Sequence, residues 1–373
     1  TNVSFKNPDN LDEFLETKFN KTNIVGAAVT ITKGDEISYF KGLGYANRKE
    51  KTPITEDTIF QIASISKTIT GTAIMQLVEE GIIELDTTIN NYLPFEVKNP
   101  HQPEALITTR MLLTHTSTIR DNWPVYDSFY TIKSGGGDSP ITLAEFLPGY
   151  LIEDGEWFDA EENFYDETPG SDYHYSNVGY ALLGYMVEYM TGQDFSEYCH
   201  DNIFNPLGMD NTGWRFSEVD NDLLTTHYQR NLWMYMTELP PYGFVTYPDG
   251  CLKTSSSDWS RFMVAMKNGG EMDGIRILQE ATVNEMFTPQ IPEIYEGQGL
   301  TFELNTVESF WIERGKNTPG HTGGDPGITT FSFIIPENDT TVTIFINSDL
   351  PWAPRMGNLM RMLERVITEA DTL

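Results

Sequence analysis

The chain has 373 residues, 39% hydrophobic and 21% charged, a composition that can bury a sizeable core and divide into two lobes. Its 24 basic residues stand against 55 acidic ones, and the formal charge of -31 repels phosphates and anionic lipid, which argues against nucleic acid as a partner. No apolar run approaches the roughly 18 residues a membrane span needs, and the only cysteines, Cys199 and Cys251, make neither a disulfide framework nor a zinc site. Both are expected as buried free thiols.

The first residue is Thr1 rather than Met, from which we expect an upstream segment to have been removed and the protein to be periplasmic or secreted. Leu11, Phe14, Leu15 and Phe19 share one face at helical spacing, with Asp9 or Asn10 as N-cap. Residues 26–32 and 36–46 read as antiparallel strands joined at Lys33-Gly34-Asp35. Residues 64–80 are apolar nearly all round and stop at Gly81, so they predict a central buried helix. From there to about residue 250, helical patterns alternate with long loops, including a helix over 177–192 and the flexible tract "SGGGDSP" at 134–140. Residues 329–336 and 340–347 are β-branched and aromatic and predict a second hairpin, followed by a helix carrying Leu359, Leu363, Val366 and Ile367.

This order predicts an α/β (α+β) fold: an antiparallel sheet flanked by helices, formed by both chain ends, with an inserted helical domain. We expect a mixed α/β domain over 1–63 and 251–373, a mostly helical domain over 64–250, and an active site at their interface. The acidic tract 153–167, in which eight of fifteen residues are Asp or Glu, reads as a solvated loop or a cation site. The six histidines show no H-E-x-x-H or similar spacing, so neither a metal centre nor an organic cofactor is expected.

Three segments carry chemistry. Ser64 and Lys67, at i and i+3, share a helix face, so the amine can reach the hydroxyl. Serine needs a base beside it, and burial can lower a lysine's pKa enough for it to serve; a helix start also aims N–H groups at an oxyanion. The same residues equally suit the capped start of a core helix. Ser66 faces away from the lysine. In "YSN", Tyr175 near a lysine can be held as phenolate or pass a proton while Asn177 points the same way, or Tyr175 packs in the core and Asn177 caps the next helix. In "HTGG", glycines before a strand let substrate approach the backbone while His321 and Thr322 supply donors, or the segment is a plain turn.

Taken together, S-x-x-K, Y-x-N and H-T-G in this order resemble the serine β-lactamase and D,D-peptidase superfamily, most closely its class C β-lactamase branch with esterases and D-aminopeptidases. "LLTHTS" (112–117), "NPLGMDNTGW" (205–214) and "GCLKTSSSDWSRFMVAMKNGG" (250–270) extend the likeness from about residue 20 to the C-terminus. The resemblance implies a β-lactamase/transpeptidase-like fold and a two-step serine hydrolase acting on a small ester, amide or peptide. Ser64 would be the acylated nucleophile, Lys67 its proton partner and Tyr175 the general base, then acid. Asn177 would hold the substrate amide or the lysine, and the N–H groups of Ser64 and Gly324, after His321-Thr322-Gly323, would form the oxyanion hole.

His321 stands where many β-lactamases have lysine, and a largely neutral imidazole attracts a substrate carboxylate less than a fixed cation does. Strong β-lactamase activity is therefore not expected; esterase and D-peptidase chemistry, a weak β-lactamase, or a non-catalytic penicillin-binding or sensor homologue stay open. Thr118 occupies a position usually glycine in the family, a change expected to alter its turn. Trp123, Tyr126, Trp233, Met234 and Tyr242 lie in aromatic loops that either line an acyl pocket or pack ordinarily.

Overall fold

Residues 26–33 form β1 (Gly26–Lys33), buried almost throughout, which marks it as an interior strand covered on both faces. The computed structural model describes residues 10–308, 317–351 and 353–373. With β2 (Glu36–Gly44), β3 (Gly320–Asp325), β4 (Ile328–Ile335) and β5 (Thr340–Ile346), β1 builds one antiparallel sheet in the order β2-β1-β5-β4-β3. The pairing of Ala28 with Phe345 and Thr30 with Thr343 joins the two ends of the chain at the sheet's centre. Both predicted hairpins form, β1–β2 turning at Gly34 with φ +58.

The principal helices are α1 (Leu11–Phe19), α2 (Lys67–Glu79), α3 (Asn177–Thr191), α4 (Ser256–Lys267) and α5 (Ala353–Ala370). Asn10 caps α1 by accepting from the Asp12 N–H; Asp9 lies outside the described residues. Because side chains alternate across the sheet, Val29, Ile31, Phe333, Val342 and Ile344 face α1 and α5, where Leu15, Leu359, Leu363 and Val366 meet them. The opposite face carries Ala28, Ile334 and Phe345 into the larger core shared with α2, α3 and α4. There the Trp259 Nε1–H donates to Ser332 Oγ at 2.8 Å, satisfying a buried indole.

Ile65, Ile69, Ala73, Ile74 and Leu77 are almost wholly buried, and each large aliphatic contributes about 1.5–3 kcal/mol. The helix expected over 64–80 nevertheless begins differently. Ala63–Ser66 is a 3-10 turn, and the α-helix starts at Lys67. The junction is pinned from both sides: the Ile62 N–H donates to Leu252 O at 2.9 Å, and Thr330 Oγ1 donates to Ile62 O at 2.8 Å. Ser66 faces away as expected, accepting from the Leu252 N–H.

A second correction concerns α3. Its N-cap is Ser176, whose Oγ accepts from the Gly179 N–H at 3.0 Å, so Asn177 is the first helical residue with its amide free for other work. Residues 81–250 otherwise hold short helices and loops, together with a small hairpin of Tyr228–Arg230 and Met236–Glu238. Cys199 and Cys251 are buried and unpaired. Among the described residues no helix is long and apolar enough to cross a membrane.

Candidate active site

Ser64 sits on the 3-10 turn that leads into α2, directly beside the edge strand β3. A Cβ added to Gly323 would lie 2.7 Å from Ile62 O and 3.1 Å from Ser64 N, so only glycine lets β3 approach this turn so closely. Ala63, immediately before Ser64, holds φ +49 within full burial, a conformation costing on the order of 1–3 kcal/mol that the surrounding packing must maintain.

One turn on, the Lys67 amine is fully buried and donates to Ser64 Oγ at 3.2 Å, Asn177 Oδ1 at 2.7 Å and Asp249 O at 2.8 Å. Its Nζ also lies 3.8 Å from Asp249 Oδ1. Burial pushes Lys67 below the ordinary lysine value, while the Asp249 carboxylate pulls it back up. Burial likewise lifts Asp249, to about 8, with Lys67 opposing the rise. Burial and the ion pair thus act on Lys67 in opposite directions, with burial the larger influence.

Tyr175 lies on the extended stretch before Ser176, with its ring centroid 4.9 Å from Lys67 Nζ and Ser64 beside its hydroxyl. Burial raises its pKa well above the usual phenol value, so the neutral phenol rather than phenolate is the resting form. Its ring stacks on His115 at 4.2 Å. Asn177 is oriented by Asp121, which accepts from the Asn177 N–H at 3.0 Å, from Asn177 Nδ2 at 2.9 Å and from the Val178 N–H at 3.0 Å. The Asp121 carboxylate thus caps α3 and leaves Asn177 Oδ1 turned toward Lys67.

On β3, His321 is buried and its Nδ1 donates to Thr322 O at 2.6 Å, fixing the proton on that nitrogen. Burial first, then the Lys67 charge, pushes its pKa down to about 3, so the imidazole is neutral across the physiological range. Thr322 is partly buried on the same strand opposite Phe331, and Gly324 is exposed opposite Thr329.

Ser64, Asn177 and Gly324 open into a cleft of about 410 Å³ whose walls include Trp123, Tyr126, Tyr130, Asp249 and Asp325. Trp123 and Tyr126 thus line it. Trp233, Met234 and Tyr242 are not among its lining residues. Trp233 and Met234 stand exposed at the tip of the 228–238 hairpin, which contributes Gln229 to the cleft instead. Tyr242 is fully buried behind it, packed with Ala63 and Phe244 and donating to Pro326 O. A bulky aromatic placed next to "PPY" and "GF" has no sequence signal that separates wall from interior.

Asp121, Asp249 and Asp325 escaped the sequence reading because a lone Asp beside Asn, Gly or Pro reads as turn chemistry. Thr118 keeps the left-handed φ of +65 that a glycine would adopt freely, its Oγ1 accepting from Asn99 Nδ2 at 2.8 Å. At the end of the acidic tract, Glu167 meets Asp172 and His174, with ligand atoms within 4.8 Å of one another; His174 Nε2 is 3.7 Å from Glu167 Oε2.

Residues 10–366 match the family model for Beta-lactamase, and the chain belongs to that family. It is 22% identical over 350 residues to "Protein flp" of Staphylococcus aureus (strain COL), covering 93% of this chain and 64% of that protein, so it spans less than two thirds of this relative's length. Among solved structures, the octameric penicillin-binding protein homologue from Pyrococcus abyssi superimposes with a TM-score of 0.76 at 26% identity, over 96% of this chain and 77% of that one. The D-amino acid amidase from Ochrobactrum anthropi SV3 superimposes with a TM-score of 0.77 at 22% identity, over 97% and 98%. The antiparallel sheet and its helices are thus those of the β-lactamase/transpeptidase fold.

Proposed function

We propose that this β-lactamase-family protein is a serine hydrolase that cleaves a small ester, amide or peptide bond through an acyl-enzyme on Ser64. The observation that carries the reading is the buried Lys67 amine, held 3.2 Å from Ser64 Oγ and fixed by Asn177 and Asp249. In the first step Ser64 Oγ bonds to the carbonyl carbon as its proton passes to neutral Lys67, with Tyr175 as the second member of the route. The N–H groups of Ser64 and Gly324 stabilise the oxyanion. Collapse breaks the bond to the leaving group, which takes a proton from Tyr175; water then releases the acid by the reverse route. A sheet unit of 1–63 and 251–373 and a helical unit of 64–250, with substrate held between them, belong to the same proposal.

Neutral, buried His321 supports ester and D-peptide substrates over β-lactams, because it supplies no fixed cation for a β-lactam carboxylate. The likeness to a D-amino acid amidase supports the amide alternative. Intact-mass measurement after a fluorophosphonate tests the nucleophile: one adduct is expected, absent in Ser64→Ala, with little or no adduct from a β-lactam. An adduct retained in Ser64→Ala would remove Ser64 from the mechanism.

A further inference from the structure

The cleft beside Ser64 is acidic as well as aromatic, and its carboxylates are held in place. Tyr130 OH donates to Asp325 Oδ1 at 2.7 Å, and Tyr126 OH lies 3.1 Å from both Asp249 oxygens. Asp249 is committed to Lys67, whereas Asp325 stands at the end of β3 with only Oδ1 engaged by Tyr130 and, among the described residues, no cation within 4 Å. Asp127 adds a third carboxylate to the lining, against one exposed lysine, Lys133. Trp123, Tyr126 and Tyr130 meet edge to face, with centroids 5.4 and 5.8 Å apart, and line the same space. Carboxylate and aromatic faces together are the surroundings in which an ammonium is bound.

The cleft also has a direction. Tyr175, the proposed proton donor to the leaving group, is not among its lining residues, nor are Lys67 and His321. The leaving group must depart where its proton is supplied, so the part of the substrate that stays on Ser64 occupies the cleft. We infer that Asp325, with the rings of Trp123, Tyr126 and Tyr130, forms a subsite for a protonated amine on the acyl portion of the substrate. The substrate class is then an amine-bearing acyl ester or amide rather than a neutral or anionic one. This rests on the acyl-enzyme reading of Ser64. Burial raises Asp325 to about 6, with the Tyr130 hydrogen bond opposing the rise, so the carboxylate is charged at the pH of the test.

The test uses three p-nitrophenyl phosphonates that differ only in the group standing for the acyl chain: aminoalkyl, alkyl of equal length, and carboxyalkyl. Each transfers phosphorus to Ser64 Oγ and releases p-nitrophenolate, followed by colour and by intact mass at about pH 8. The aminoalkyl probe is expected to react about tenfold faster than the alkyl probe, and the carboxyalkyl probe most slowly. In Asp325→Asn the amine preference should fall to about twofold or less; Asp325→Glu should retain part of it. Because the readout is a ratio of rates on one sample, loss of folded protein cancels. Equal rates for amine and alkyl probes, a faster carboxyalkyl probe, or a preference that survives Asp325→Asn overturns the subsite. Labelling that bypasses Ser64 instead overturns the nucleophile on which it rests.

Discussion

In the proposed mechanism Lys67 is the residue on which the chemistry turns, and its environment holds two opposed influences. Burial favours the neutral amine, and Asp249, 3.8 Å away, favours the ammonium. A neutral Lys67 is needed to accept the Ser64 proton, so kcat/KM should rise with pH as Lys67 deprotonates, along a limb below the ordinary lysine range. Asp249→Asn removes the carboxylate that stabilises the charged form. The limb should therefore move to lower pH when kcat/KM for p-nitrophenyl acetate is followed across pH. A limb that stays put, or moves upward, would detach Asp249 from Lys67. At the same scale, Tyr175 with its raised pKa stays a phenol, so Tyr175→Phe should lower turnover at least about a hundredfold while Ser64 remains open to phosphonylation. Near-wild-type turnover would mean the leaving group is protonated elsewhere.

Helix α3 shows how an element can serve a site through its first turn alone. Its opening N–H groups are orphans by geometry, and Asp121 answers two of them while also gripping the Asn177 amide. Asp121→Ala should cost about 2–3 kcal/mol in urea denaturation, since a buried acceptor with three donors is lost. It should also slow Ser64 labelling, because Asn177 Oδ1 is no longer aimed at Lys67. A loss of stability under about 0.5 kcal/mol, or unchanged labelling, would reduce Asp121 to a bystander. The 3-10 turn at 63–66 works likewise: Thr330 on β4 and Leu252 clamp Ile62, and the strained Ala63 brings Ser64 to the cleft.

Over the whole molecule, 55 acidic residues against 24 basic ones leave a formal charge of -31. Self-repulsion at -31 works against the compact state, and salt screens it within about 10 Å at 0.1 M. Raising NaCl from about 0.05 M to about 1 M should therefore raise Tm by roughly 5 °C in calorimetry. A flat or falling Tm would mean the charges are already balanced locally.

Sheet, central helix and terminal helix were legible in the chain because each depends on near-neighbour pattern: β-branched runs in 26–33 and 340–346, and an all-round apolar surface in 67–79. Ser64, Lys67, Tyr175 and Asn177 were legible as motif members, since their spacing and order survive without coordinates. The start of the central helix was not, because its first turn is set by Leu252 and Thr330, far away in sequence. Nor could the chain separate Tyr126, which lines the cleft, from Tyr242, which is buried behind it. Asp121, Asp249 and Asp325 are the clearest cases. Each is an ordinary loop aspartate by sequence, and each acquires its role only from the burial and donors that folding assembles around it, because the free energy of a charge depends on its surroundings.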